Sequence, residues 1–210
     1  MTPEFDAVIV GAGFGGMGAA IALQEMGYRN LTILDREDDL GGTWHVNHYP
    51  GLAVDIASVT YSYSFAPNPN WTRLFAPGAE LKRYAEHIAD SYDLRRAMRF
   101  GVLVERAEWD ADAQFWRVTT ADGESISGRF LVTATGFLSQ PHTPDFPGID
   151  TFSGTVLHTT RWDDSHDVTG ERVAVIGTGA SAVQVIPAIA GEVAHLTVFQ
   201  RSAPYVFPKP

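Results

Sequence analysis

Asp35 and Arg201 close two copies of one pattern, and their opposite charges point to two different nucleotides. In the first copy an apolar run of Phe5, Ala7, Val8, Ile9 and Val10 stops at Gly11-Ala12-Gly13-Phe14-Gly15-Gly16, and Asp35 follows about twenty residues past the glycines. Gly11 permits a tight turn, Gly13 lets the backbone approach a pyrophosphate, and Gly16 lets the next helix lie close to the strand. The helix N-terminus then offers unpaired N–H groups and a partial positive charge to phosphates. A carboxylate at Asp35 accepts hydrogen bonds from ribose hydroxyls and repels a 2'-phosphate, which assigns this site to FAD or NAD rather than NADP.

In the second copy Arg172, Val173, Ala174, Val175 and Ile176 lead into Gly177-Thr178-Gly179-Ala180-Ser181-Ala182. The next apolar run, Leu196 to Phe199, ends in Gln200-Arg201-Ser202 instead of an acid. A guanidinium pairs bidentately with the 2'-phosphate that a carboxylate repels, so this site selects NADP. FAD and NADPH on one chain make hydride transfer from nicotinamide to flavin the default chemistry.

The elements that must position these residues follow from propensity and period. Ala19, Ala20, Ile21, Ala22 and Leu23 favour a helix over Met17 to Met26, which Gly27 ends in a left-handed conformation, and Leu31 to Leu34 form a buried strand. Arg36 to Asp39 read as a solvated turn, and Leu40 to Asp55 as a long irregular loop of glycine, proline and aromatic residues. Gly78 to Asp93 is amphipathic, with Leu81, Tyr84, Ala85, Ile88 and Ala89 on one side and Lys82, Arg83, Glu86 and Asp90 on the other. Arg99 to Ala134 reads as strands: an antiparallel meander with a hairpin turn at Asp122-Gly123, then Phe130, Leu131 and Val132 as a buried strand returning to the first sheet. Pro141, Pro144, Pro147 and Gly148 mark a boundary. The expected architecture is α/β, with two Rossmann-like dinucleotide-binding units, FAD then NADP, and a small antiparallel β-meander. Residues 1–145 make the FAD-binding domain; residues 146–210 make a linker and the first half of the NADP-binding domain, so that the second unit is read as incomplete.

Hydrophobic residues at 45% and charged residues at 19% describe a soluble globular chain with material for a sizeable core. The sequence contains no cysteine, which removes disulfide and thiolate chemistry. His158 has no further His or carboxylate at ligand spacing, so no metal site is expected, and a net charge of -10 argues against a nucleic-acid partner. The acidic first residues lack a signal-peptide pattern and no run of eighteen apolar residues exists, which sets the expectation of a cytoplasmic protein with no membrane partner.

Between the two glycine turns, Phe152 to Asp163 reads FxGxxxHxxxWD, carried by Phe152, Gly154, His158 and Trp162. Upstream, Gly41, Gly42, Trp44, Tyr49, Pro50, Gly51 and Asp55 form a second spaced motif, and Ala134-Thr135-Gly136 and Leu138-Ser139-x-Pro141 a third. In these motifs the whole chain resembles the type I Baeyer-Villiger monooxygenases. The related N- and S-oxygenating flavin monooxygenases carry Tyr or Phe where this chain has Trp162. The resemblance implies an NADPH-reduced FAD that captures O2 as a C4a-peroxyflavin and converts a ketone or aldehyde into an ester or lactone. It implies that Asp55 is the catalytic aspartate, tuning an arginine that stabilises the peroxide anion and the oxyanion. It also implies that Thr43, Trp44 and Tyr61 line the flavin and that Gly177, Thr178, Gly179, Ser181, Gln184, Arg201 and Ser202 hold NADP. His158 and Trp162 would belong to a linker that couples movement of the NADP domain to the active site. The family's arginine lies farther on in sequence than Pro210, so a complementary C-terminal segment or chain is an implied partner. Two other readings stand beside this one: a flavin monooxygenase or NADPH oxidase acting at N or S centres, and a truncated, non-catalytic dinucleotide-binding module.

Overall fold

The computed structural model describes residues 2–138 and 140–205. Ser139, in the Leu138-Ser139-x-Pro141 turn, and residues 206–210 lie outside the described residues. The chain divides into two compact units: Met1–Val46 with Leu81–Gln140, and Asn47–Glu80 with Pro141–Pro210.

The first unit is built on a six-stranded sheet. Its elements in chain order are β1 (Phe5–Val10), α1 (Phe14–Glu25), β2 (Leu31–Leu34), the short α2 (Thr43–Val46), α3 (Gly78–Ser91, of which Leu81 onward lies here), β3 (Met98–Arg99), β4 (Val104–Asp110), β5 (Phe115–Thr120) and β6 (Ser125–Thr133). The strand order is β3-β2-β1-β6-β5-β4. β1 pairs in parallel with β2, Ala7 opposite Leu31, and with β6, Ala7 opposite Phe130. β6 also pairs antiparallel with β5. One nine-residue strand therefore serves the parallel sheet and the meander, where the sequence suggested two successive segments. Gly128 is the shared position, opposite both Phe5 and Trp116, and a Cβ there would stand 2.7 Å from the Val8 side chain.

Val8, Leu34, Val118 and Ile126 form a core on this sheet, and α3 buries Leu81, Tyr84, Ala85, Ile88 and Ala89, the apolar face that its period marks. β1 and β2 are buried because parallel strands are covered on both faces, and continuous apolar runs suit that position. The outer part of β6 departs from expectation. Phe130 is 36% exposed, with Leu131 and Val132 half-buried; Tyr28 meets the Phe130 ring edge-on and Arg129 lies over it.

The second unit carries β7 (Arg172–Ile176), α4 (Ala180–Ile189) and β8 (His195–Phe199), with β7 and β8 parallel, Arg172 opposite His195. Its core is Tyr49, Val168, Val185 and Ile189, packed with Leu52, Trp162, Val173, Ile186, Val193 and Leu196. Among the described residues no helix is long and apolar enough to cross a membrane.

Candidate functional site

The two glycine turns share one backbone geometry. Gly11 and Gly177, which end β1 and β7, have φ of +109° and +112°, a region that L side chains avoid. Gly13 and Gly179, the residues before α1 and α4, are extended at φ/ψ of -78°/-172° and -73°/-177°. Neither helix start has a side-chain cap or an acidic residue in its first turn among the described residues, so no cap or carboxylate there competes with an anion.

Around the first turn the protein closes in on three sides. A Cβ on Gly11 would stand 2.4 Å from the Ala134 carbonyl oxygen, and one on Gly16 would stand 1.8 Å from the Gly11 carbonyl oxygen. The end of β6 and the helix thus press against the turn, and Ala134 N–H donates to Val10 O at 2.8 Å to hold the strand end there. Gly13 meets only the Gly42 backbone, 3.5 Å from an added Cβ, an ordinary van der Waals distance. Asp35 stands at the end of β2, where its Oδ2 accepts the Ala12 N–H at 2.6 Å and its Oδ1 the Glu37 N–H at 3.0 Å. Carboxylate oxygens accept up to about four hydrogen bonds in all, so capacity remains for ribose hydroxyls.

The glycine pair of the upstream motif belongs to this turn. Gly41 N–H donates to Ala12 O at 3.0 Å, and α2, too short to show a helical period in sequence, follows with Thr43 exposed and Trp44 half-buried. Lys82 fixes the approach to this pair: its Nζ contacts Asp39 Oδ2 at 2.5 Å, Leu40 O at 2.9 Å and Glu86 Oε1 at 3.2 Å. The period of α3 places Lys82 on the solvated face, yet its side chain is only 17% exposed. Burial opposes ionisation of Asp39, but the Lys82 ammonium and the Leu40 N–H outweigh it and hold the carboxyl below its usual range. The solvated turn of the sequence reading is thus tied down at Asp39, and nothing in local sequence signals a partner on α3.

The second turn is open. No described atom lies within 4 Å of a Cβ placed on Gly177 or Gly179. Thr178 is half-buried, whereas Arg201 and Ser202 are exposed just past β8, and Arg201 makes no salt bridge among the described residues. Ser181 and Gln184 face inward, toward the loop that begins at Tyr49. Tyr49 Oη donates to Gln184 Oε1 at 2.8 Å, Gln184 Nε2 donates to Ala53 O at 2.8 Å, and Ser181 is hydrogen-bonded to the Tyr49 hydroxyl. Burial foremost, together with the charge of Asp55, raises the Tyr49 phenol above its ordinary value, so it stays a donor.

The two long motifs meet in this unit. Trp162 packs in the cluster that holds Tyr49, Val185 and Ile189, and His48 Nδ1 lies 2.9 Å from Asp164 Oδ2. Asp55 is exposed, one residue beyond the buried Val54, whose N–H donates to Ala76 O at 2.9 Å. Tyr61 is half-buried at the end of a short turn over Ser58–Thr60. In the linker motif, Phe152 is exposed with its ring over Gly154, where a Cβ would stand 2.6 Å from it. His158 Nδ1 accepts the Thr160 N–H at 3.2 Å and lies 2.8 Å from Thr160 Oγ1, which leaves Nε2 as the protonated ring nitrogen of the neutral imidazole. The partners of Tyr49, Ser181, Gln184 and Lys82 lie far away in sequence and leave no signal in local spacing.

The pattern of the family described as pyridine nucleotide-disulphide oxidoreductase matches residues 8–206. The chain is 46% identical over 201 residues to a Baeyer-Villiger monooxygenase of Streptomyces coelicolor, covering 96% of this chain and 38% of the relative. It superimposes on the open crystal structure of cyclohexanone monooxygenase with a TM-score of 0.92 at 40% identity, covering 99% of this chain and 41% of that one. The complex of OTEMO with FAD and NADP gives a TM-score of 0.88 at 38% identity, over 96% of this chain and 40% of that one. The chain thus spans about two fifths of the length of the proteins it matches.

Proposed function

The chain belongs to the pyridine nucleotide-disulphide oxidoreductase family, and on that footing we propose that it is the FAD- and NADPH-cradling part of a Baeyer-Villiger monooxygenase. Such an enzyme converts ketones or aldehydes to esters or lactones with NADPH and O2. The observation that carries the reading is the pair of like-shaped glycine turns whose following strands end in opposite charges, Asp35 and Arg201. The likeness to a cyclohexanone monooxygenase and to a complex holding FAD and NADP supports it.

The residues divide the work. Gly11, Gly13, Gly15 and Gly16 give the first pyrophosphate its close approach, and Asp35 accepts from the ribose of FAD. Thr43, Trp44 and Tyr61 shape the surroundings of the flavin ring. Gly177, Thr178 and Gly179 cradle the second pyrophosphate, while Arg201 and Ser202 bind the 2'-phosphate of NADP. Bound FAD, reduced by NADPH, supplies the oxygen-activating chemistry. Asp55 holds a cation in place where negative charge develops during oxygen insertion, which is the stabilisation this step needs in a water-poor site. A complementary C-terminal segment or chain supplies that cation. In functional terms residues 1–145 serve FAD and residues 146–210 serve NADP, with Phe152, Gly154, His158 and Trp162 in the connecting segment. A cytoplasmic place of action goes with this reading.

The test is NADPH consumption by the FAD-loaded protein together with the complementary C-terminal segment, with and without a cyclic ketone, with products read by mass spectrometry. The reading expects ketone-dependent consumption and a lactone one oxygen atom heavier than the ketone. NADPH consumption that ignores the ketone and yields only hydrogen peroxide would point to an oxidase; oxygen delivered to an amine or sulfide but never to a ketone would point to the N- and S-oxygenating enzymes.

A further inference from the structure

Gln184 is one turn into α4, and its side-chain amide is committed to the protein rather than held out to solvent. Oε1 accepts the Tyr49 hydroxyl at 2.8 Å and the Ala53 N–H at 3.4 Å, and Nε2 donates to the Ala53 carbonyl at 2.8 Å. The Ala53 carbonyl and N–H fix which end of the amide is which, since the reverse placement would set donor against donor and acceptor against acceptor. Both lone-pair positions of Oε1 are used, and one N–H of Nε2 remains.

The same loop touches α4 at two further places. A Cβ on Gly51 would stand 2.5 Å from the Gln184 carbonyl oxygen and 3.0 Å from Ala188 Cβ, so the loop backbone lies directly on the helix. Tyr49 is 6% exposed, with Val185 and Ile189 in its cluster, and its hydroxyl is also bonded to Ser181. From Ala53 the chain has two residues to Asp55. Ala53 is bridged on its other side to Pro77, and Val54 is buried.

We propose that Gln184 is a positioning residue: its amide clamps the Tyr49–Asp55 loop to α4, so that a nucleotide at the start of α4 and the carboxylate of Asp55 are held as one piece. The proposal rests on the reading of α4 as the NADP-binding helix. It gives Gln184 a task different from direct contact with the nucleotide, and it makes the spacing between Tyr49 and Asp55 a consequence of a helix that lies far away in sequence.

Amide hydrogen exchange of residues 51–55, with and without NADPH, tests it in three variants: Gln184→Leu, Tyr49→Phe and the double variant. Tyr49→Phe keeps the ring and the Gln184 side chain, so it remains informative if Gln184→Leu folds poorly. Each single variant is expected to speed exchange in this loop about five- to tenfold in the free protein, the effect of losing a hydrogen bond of ordinary strength. The double variant should be no faster than Gln184→Leu, because both changes break one network. NADPH should slow the loop in the wild type and lose that effect in both single variants, with its affinity changed less than about threefold by Tyr49→Phe. Wild-type exchange in both single variants overturns the clamp, as does a Gln184→Leu protein that binds NADPH poorly while its loop exchanges normally. If the wild type binds no NADPH, the nucleotide reading of α4 falls, and the free-protein comparison still decides whether the clamp exists.

Discussion

Asp35 Oδ2 accepts the backbone N–H of Ala12 at 2.6 Å, so the acid that ends β2 is tied to the glycine turn that ends β1. This bond needs no nucleotide. Asp35 therefore has a structural task beside the one that its sequence position suggests, and the two can be separated. Ala12 is fully buried, and removing its partner leaves an unsatisfied N–H at a cost of about 1–3 kcal/mol. Asp35→Ala should lower the stability of the nucleotide-free protein by that amount in urea titration, with Asp35→Asn losing less because its amide oxygen still accepts. Unchanged stability in the alanine variant would confine Asp35 to ligand binding.

The two turns should tolerate an added methyl group very differently. At Gly16 a Cβ would sit 1.8 Å from the Gly11 carbonyl oxygen, a contact that only displacement of α1 relieves. At Gly177 no described atom lies within 4 Å, and the cost is the strain of φ at +112°, roughly 1–3 kcal/mol. Thermal unfolding should place Gly16→Ala well below Gly177→Ala. Equal melting temperatures would mean that the helix can shift without penalty.

Lys82 and Asp39 give the upstream glycine pair a pH dependence. Against the opposing effect of burial, the Lys82 ammonium and the Leu40 N–H hold the Asp39 carboxyl below its ordinary value in the folded protein. A depressed carboxyl contributes stability above its unfolded value and loses it as pH falls through the folded one. Lys82→Met should therefore cost on the order of 1 kcal/mol near neutral pH, discounted for the partial exposure of Asp39. The gap between variant and wild type should close below about pH 4. Denaturant titrations at neutral and acid pH read this directly; a gap that widens in acid would remove Asp39 as the partner that matters.

Much of the fold is legible because glycine and apolar runs punctuate it. β1, β2, α3, β7 and the Asp122-Gly123 turn stand where local propensity and period put them, and Gly27 and Gly123 take the positive φ that a stop and a hairpin need. α1 begins at Phe14 rather than Met17, since the extended Gly13 sets the start although Gly15 and Gly16 are weak helix formers. Other features depend on partners distant in sequence. Lys82 reads as a surface residue of an amphipathic helix until Asp39 and Leu40 are seen beside it. Tyr49 and Gln184 are separated by 135 positions, and no period links a phenol in an irregular loop to an amide on α4. Trp162 and Tyr49, read from two separate motifs, share one core cluster, which composition and spacing do not encode.

The central claim is that opposite charges at two strand ends sort two nucleotides, and its most direct measurement is the ratio of NADPH to NADH affinity in wild type and Arg201→Ala. A charge-assisted pair of about 1.5–3 kcal/mol predicts that the wild type prefers NADPH by roughly 10- to 100-fold. The variant should lose that preference to within about twofold by weakening NADPH alone. A wild type that binds NADH as tightly as NADPH, or a variant that loses both in equal measure, would contradict the account.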